Sequence, residues 1–193
     1  AMREDDLLRL EWIADPRISP DGSRVVFTRV TIDAETDEYR TNLWLCEVPA
    51  EGAAPAPPRA LTYGGRDSQA RWSPDGHALA FVRKPGAEEP AQIHLLPLAG
   101  GEPRALTSLK GGAGSPTWSP DGNRVAFVSG HNPAVDTPDF KKPKHEPGRV
   151  VTRPEFRWND EGFVDWEHLD HLWVVSVDGG DPRQLTAGTR FKE

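Results

Sequence analysis

The chain has 193 residues, of which 36% are hydrophobic and 8% aromatic, and it contains 18 glycines and 19 prolines. This composition favours many short strands joined by turns over a helical protein. The net charge of −7 argues against nucleic acid or an anionic membrane surface as the main partner, and the single cysteine, Cys46, excludes an internal disulfide.

The chain opens with an acidic segment, residues 3–10, whose pattern is that of a short helix. The segment has no uninterrupted apolar run of the kind found in a signal peptide. No stretch of the sequence approaches the roughly 20 apolar residues of a membrane span. We therefore expect a helical N-terminal segment at residues 1–14 and a cytoplasmic protein, and the lone cysteine fits a reducing compartment.

One turn motif, Ser-Pro-Asp-Gly, occurs three times, at residues 19–22, 73–76 and 119–122. Proline presets the second turn position, aspartate suits the third, and glycine accepts the left-handed conformation that follows. The serines and aspartates of the motif are therefore assigned to turns and not to catalysis. Trp72 and Trp118, which precede two of the motifs, are assigned to packing between repeated units.

Each motif joins an incoming first strand to an apolar second strand. A third strand follows, and then a fourth strand that ends in Leu-Thr. Four antiparallel strands in a unit of roughly 40–50 residues are typical of a β-propeller blade. The sequence thus predicts an all-β fold with a short N-terminal helix and about three four-stranded blades, at residues 15–66, 67–112 and 113–188. Since three blades do not close a ring, we expect a fragment in which residues 189–193 begin a fourth, truncated blade.

The third unit carries a long insertion, residues 130–170, between its second and third strands. Long loops on a rigid scaffold often carry function. If the chain is extended here, Arg149 and Arg153 share one face, and with Arg157 they could bind a carboxylate or a peptide carbonyl. The alternative is that these arginines pair with acidic residues of the same loop. The substrate-gating candidates are Arg149, Arg153, Arg157 and Glu161.

The sequence contains no recognisable catalytic centre. No serine stands in the Gly-x-Ser-x-Gly frame of an α/β-hydrolase. His168 and His171 are three positions apart, so that in a strand they point to opposite faces and do not share a metal ion. We therefore expect no catalytic residue, no metal site and no cofactor in this chain.

Four segments together resemble the N-terminal propeller of the prolyl oligopeptidase family of serine peptidases, in particular its acylaminoacyl-peptidase branch. The resemblance covers essentially the whole chain, and the opening helix combined with the long third-blade insertion is its most specific part. The segments are Glu4-Asp5-Asp6-Leu7-Leu8-Arg9-Leu10, Asp15-Pro16-Arg17-Ile18-Ser19-Pro20-Asp21-Gly22, Val150-Val151-Thr152-Arg153 and residues 171–186.

The resemblance implies a ring of seven or eight blades over a C-terminal α/β-hydrolase domain of the same parent chain, which holds the Ser, Asp and His triad. It also implies that the propeller admits only short or unfolded peptides. The expected function is therefore the gating part of a peptidase that hydrolyses short or N-blocked peptides, in a homo-oligomer. An arginine of the insertion would favour a free carboxylate, and Glu161 would favour a free amine.

A second hypothesis from a different class stays open. The chain could be a non-catalytic, protein-binding propeller of the kind found in the periplasmic component of the Tol system. Such a protein is expected to have an export signal and a separate domain before its blades, whereas this chain enters its first blade directly after a short helix. A propeller glycosidase and a metal enzyme are the remaining alternatives.

Overall fold

The fold is all-β, as the repeat predicts. A computed structural model describes residues 4–137, 157–158, 162–163, 165 and 167–188. In these ranges the chain forms three four-stranded antiparallel sheets, a two-stranded hairpin and a short helix, α1 (Glu4–Leu7). The helix described in these ranges is far too short to cross a lipid bilayer.

The first blade is the sheet with the longest strands. Its strand order is that of the chain: β1 (Trp12–Ile18), β2 (Arg24–Asp33), β3 (Glu38–Glu47) and β4 (Arg59–Ala60). β1 begins three residues before the start expected for this unit because its first residues pair with the extended end of β2. The β2–β3 hairpin therefore projects beyond the corresponding hairpin of the second blade, whose strands are six residues long.

The second blade is compact and regular. It contains β5 (Asp67–Trp72), β6 (Ala78–Arg83), β7 (Gln92–Pro97) and β8 (Arg104–Ala105), paired in chain order. The middle strand β6 is buried on both faces, since its alternate side chains enter the two hydrophobic cores beside the blade.

The third blade is interrupted in the chain. It contains β9 (Gly114–Trp118), β10 (Arg124–Ser129), β13 (His171–Ser176) and β14 (Arg183–Gln184). Residues 130–170 connect β10 with β13, and the hairpin of β11 (Arg157–Trp158) and β12 (Gly162–Phe163) lies in this connection. Even so, β10 and β13 pair without a register shift, so the blade is complete despite the insertion.

The three Ser-Pro-Asp-Gly motifs form the same turn in all three blades. In the second blade, Ser73 Oγ donates to Asp75 Oδ1 at 2.5 Å and accepts the Ala78 amide at 2.9 Å. Gly76 has a φ of 71°, which a residue with a side chain adopts only with strain. The hydrogen bond that Ser73 donates is the main reason why the pKa of Asp75 lies below its usual range. The turn assignment of these serines and aspartates is confirmed.

We expect Ser73→Ala to destabilise the chain by about 1 kcal/mol, because the hydroxyl is buried and satisfies the Ala78 amide. Ser119 makes the equivalent bonds in a less buried turn, so Ser119→Ala is the matched control and should cost less. Urea unfolding followed by circular dichroism measures both changes. Equal losses in the two variants would contradict the role assigned to burial.

The recurring Leu-Thr pair has a structural explanation that the sequence alone did not supply. The threonine follows the short fourth strand, and its hydroxyl accepts a backbone amide of the third strand where the sheet ladder has ended. Leu43 N donates to Thr62 Oγ1 at 3.0 Å, and Ile93 N donates to Thr107 Oγ1 at 2.9 Å. In the third blade, Leu172 N donates to Thr186 Oγ1 at 2.9 Å. The pair therefore terminates each blade at its outer edge.

The hydrophobic core lies between the blades. One cluster joins the first and second blades and contains Val26, Leu43, Leu45, Ala70, Trp72, Leu79, Phe81 and Leu96. A second cluster joins the second and third blades and contains Ala80, Val82, Ile93, Leu95, Leu106, Leu109, Ala113, Val125, Phe127, Trp173 and Val175.

Trp72 and Trp118 pack between blades, as expected. Trp72 Nε1 donates to the Arg17 carbonyl at 2.9 Å, and Trp118 Nε1 donates to the Arg71 carbonyl at the same distance. The two bonds are equivalent, since each indole contacts the first strand of the preceding blade. Blade stacking therefore rests on a specific hydrogen bond in addition to apolar burial.

Candidate functional site

The predicted gating residues lie in the long connection of the third blade. Arg149, Arg153 and Glu161 are outside the described residues, and of Arg157 only the backbone, in β11, is described. Their substrate-reading role therefore stays a prediction. The structure does describe the two ends of the connection, residues 130–137 on one side and residues 165 and 167–170 on the other.

The two ends lie in close backbone contact with each other and with the preceding loop. A Cβ atom on Gly130 would stand 2.9 Å from the His168 carbonyl oxygen. A Cβ atom on Gly111 would stand 2.3 Å from the His131 nitrogen. Glycine is required at both positions by this proximity and not by backbone conformation. These two glycines therefore allow the close backbone approach at the place where the long connection leaves the blade and returns to it.

Asp136 is the central acceptor of this region, and its side chain is only 6% exposed. Its carboxylate accepts His131 Nδ1 at 2.8 Å and the Asn132 amide at 2.9 Å. It also contacts His168 Nε2 at 3.2 Å. Since His168 belongs to the returning end, this last contact bridges the two ends of the connection.

Two further contacts support the bridge. The Asn132 side-chain amide donates to the Glu167 carbonyl at 2.7 Å, so a second hydrogen bond joins the ends. The His131 ring lies 5.6 Å from the buried Trp173 ring, centroid to centroid, which fixes the imidazole against the blade core. We call His131, Asn132, Asp136, Asp165 and His168 the base cluster of the connection.

The charges of the base cluster reinforce one another. Burial raises the pKa of Asp136, but the hydrogen bonds from Asn132, His168 and His131 outweigh burial and hold that pKa below its usual range. Burial lowers the pKa of His168, but Asp165 and Asp136 raise it more, and the pKa ends above its ordinary value of 6.5. The cluster is therefore a charge-assisted network.

A second polar feature lies along the first strands of the blades. β1, β5 and β9 lie beside one another and form the inner side of the arc. In each strand one residue near a register shift has a positive φ, namely Asp15 (48°), Gln69 (55°) and Ser115 (53°). Such bulges re-aim side chains and are common beside functional sites.

The bulged residues link neighbouring blades. The Asp15 carboxylate contacts Arg17 of its own blade and Arg71 of the next blade, each at 2.7 Å. The Gln69 side-chain oxygen accepts the Ser115 amide at 2.8 Å. These contacts leave no signal in the repeat, because the three bulged positions share no residue type.

The contacts of the base cluster are hydrogen bonds and ion pairs. Among the described residues, no group of three or more histidine, cysteine or acidic side chains is placed to hold a metal ion. What the base cluster can do chemically is exchange a proton at His168.

The chain is similar in sequence to a known peptidase. No family model matches the chain. The chain is 30% identical over 187 residues to the "uncharacterized peptidase YuxL" of Bacillus subtilis, and the match covers 95% of this chain and 27% of that protein. The chain thus spans about a quarter of the length of this relative.

Solved structures establish the fold. The acylaminoacyl peptidase of Pyrococcus horikoshii matches 96% of this chain with a TM-score of 0.67 and 19% identity, over 26% of its own length. A putative TolB from Agrobacterium tumefaciens matches 91% of this chain with a TM-score of 0.53 and 20% identity, over 49% of its length. The chain is therefore a β-propeller segment that is similar over nearly its whole length to part of a peptidase, as the resemblance seen in its sequence predicts.

Proposed function

We propose that this chain is the substrate-gating part of a cytoplasmic serine peptidase, similar to acylaminoacyl peptidases, that acts on short or N-blocked peptides. The observation that carries the proposal is the similarity to a peptidase over 95% of the chain. The hydrolytic residues would belong to an α/β-hydrolase domain of the parent protein.

The geometry supports a role in access and not in bond cleavage. Neighbouring blades share hydrophobic cores, and their first strands are joined by an ion pair and a hydrogen bond. The long connection of the third blade is tied to this scaffold at both of its ends. A rigid ring with an anchored loop excludes folded substrates by size and can present side chains to a peptide end.

The test compares the complete gene product with the 193-residue chain. We expect a fluorophosphonate probe, which labels activated serines, to label the complete product and not this chain. The complete product should cleave an N-acetylated tripeptide and leave the same sequence uncut when it is embedded in a folded protein. The 193-residue chain should show no cleavage.

Two results would count against the proposal. A complete gene product that neither reacts with the probe nor cleaves any peptide, but retains a stable protein partner, would instead favour the protein-binding hypothesis. Cleavage of the folded and the short substrate at equal rates would retain the peptidase and reject gating.

A further inference from the structure

The His168 ring lies between two carboxylates, and this arrangement places a requirement on the protonation of its two nitrogens. Its Nδ1 lies 2.9 Å from Asp165 Oδ2, and its Nε2 lies 3.2 Å from Asp136 Oδ1. A carboxylate oxygen can only accept, so both ring nitrogens must carry a proton for both contacts to be hydrogen bonds. The observed geometry is therefore that of an imidazolium and not of a neutral histidine.

The two contacts differ in what they join. Asp165 is three residues before His168 in the same turn, so that bond is local. Asp136 lies 32 residues before His168 on the opposite end of the connection, so that bond holds the ends together. A neutral imidazole has one N–H and keeps one bond. The local bond is shorter, and Asp136 has two other donors, so the bond between the ends is the one that is lost.

We propose that His168 and Asp136 form a pH-sensitive latch, a contact between the two ends of the 130–170 connection that is lost as the pH rises, while the other contacts between the ends remain. The inference is independent of the proposed peptidase function, because it rests only on the contacts of the base cluster.

The surroundings of His168 favour its charged form. Asp136 and Asp165 contact it directly, Glu167 and Asp170 lie on its own end of the connection, and His131 shares the Asp136 carboxylate. From the loop before β9, the Lys110 ammonium binds the Thr137 carbonyl. The carboxylates thus outnumber the cations near the ring, which stabilises the imidazolium.

The direction of the pH dependence follows from these contacts. The pKa of His168 is raised in the folded chain, so the latch is fully closed below 6.5 and opens as the pH rises through the raised value. The pKa values of Asp136 and Asp165 are lowered, so both carboxylates stay ionised well into the acid range. The latch is therefore closed wherever both carboxylates are ionised and His168 is protonated, and on the alkaline side it opens when His168 loses its proton.

The experiment is an NMR titration of the 193-residue chain from about pH 6 to about pH 9. We expect the His168 ring signals to titrate with a midpoint above 6.5. The backbone amide signals of Asn132 and Glu167, one on each end, should shift with the same midpoint. A His168 midpoint at or below 6.5, or amide signals that do not follow it, would overturn the proposal.

Two variants and one control assign the effect to the latch. His168→Gln should abolish the pH-dependent shift of the Asn132 and Glu167 amides. Asp136→Asn should move the His168 midpoint downward, because it removes one of the two carboxylates that stabilise the imidazolium. His77→Gln changes an exposed histidine in the turn of the second blade and should leave both signals as in the parent chain. The titration of the unsubstituted chain decides the question even if a variant fails to fold.

Discussion

Trp72→Ala is expected to destabilise the chain by about 3–5 kcal/mol, one of the largest losses available to a single substitution here. The indole is 9% exposed and belongs to the core shared by the first and second blades. It also donates to the Arg17 carbonyl, and the Arg24 guanidinium lies 5.0 Å from its ring centroid. The substitution therefore removes apolar burial, a hydrogen bond between blades and a cation–π contact together.

Urea unfolding followed by far-ultraviolet circular dichroism measures this loss. Trp12→Ala is the matched control, because Trp12 is 42% exposed and its ring packs against that of Tyr39, 5.4 Å away between centroids. We expect that control to cost about 1 kcal/mol. If the two variants lost similar stability, the contact between blades would not have the importance assigned to it.

Asp67→Asn is expected to cost about 3 kcal/mol, because it breaks a buried ion pair while nearly preserving side-chain volume. The Asp67 side chain is 0% exposed and accepts Arg83 Nε at 2.7 Å and Arg83 Nη2 at 2.8 Å. The hydrogen bonds that Arg83 donates to the Asp67 carboxylate raise the pKa of Arg83. Because a guanidinium stays protonated at ordinary pH even without such a partner, Arg83 remains charged in the variant and has lost its carboxylate. The same urea experiment measures the effect.

The first blade supplies a control with the same chemistry at the surface. Glu11 accepts both Arg29 Nε, at 3.1 Å, and Arg29 Nη2, at 2.6 Å, but the Glu11 side chain is 50% exposed. Glu11→Gln should therefore cost about 0–1 kcal/mol. A loss in Asp67→Asn no larger than in this control would show that burial does not govern the strength of the pair.

The sequence predicts the fold well because each blade is built from turns and strands that are determined by neighbouring residues and that recur three times in the chain. Ser-Pro-Asp-Gly determines a turn within four residues, and the alternation in strands such as Ala78–Arg83 determines which side chains enter each core. The Trp72 position was also correctly assigned to packing between blades. Each of these signals depends on residues near one another in the chain, so a single sequence contains the information.

The base cluster could not be predicted in the same way. Asp136 and His168 are 32 residues apart, whereas the spacing in the sequence associates His168 with His171, three positions later. Nothing in residue spacing shows that the two ends of a long connection return to the same place. That proximity depends on the pairing of β10 with β13, which brings residues 129 and 171 opposite each other. The bulges at Asp15, Gln69 and Ser115 could not be predicted, because the three positions share a backbone conformation and not a residue type.

The hydrogen bonds of Trp72 and Trp118 give the stack of blades a polarity. Each indole contacts the carbonyl of the residue just before the corresponding position of the preceding blade, and on the third blade the corresponding carbonyl is that of Thr117. In such a head-to-tail arrangement, one face of each blade always contacts the opposite face of the next blade. The rotation from one blade to the next then determines whether the blades close into a ring or continue as an open helix. The number of blades that such a stack accommodates therefore depends on the angle between neighbouring blades, to which the indole hydrogen bond and the apolar core of each interface both contribute.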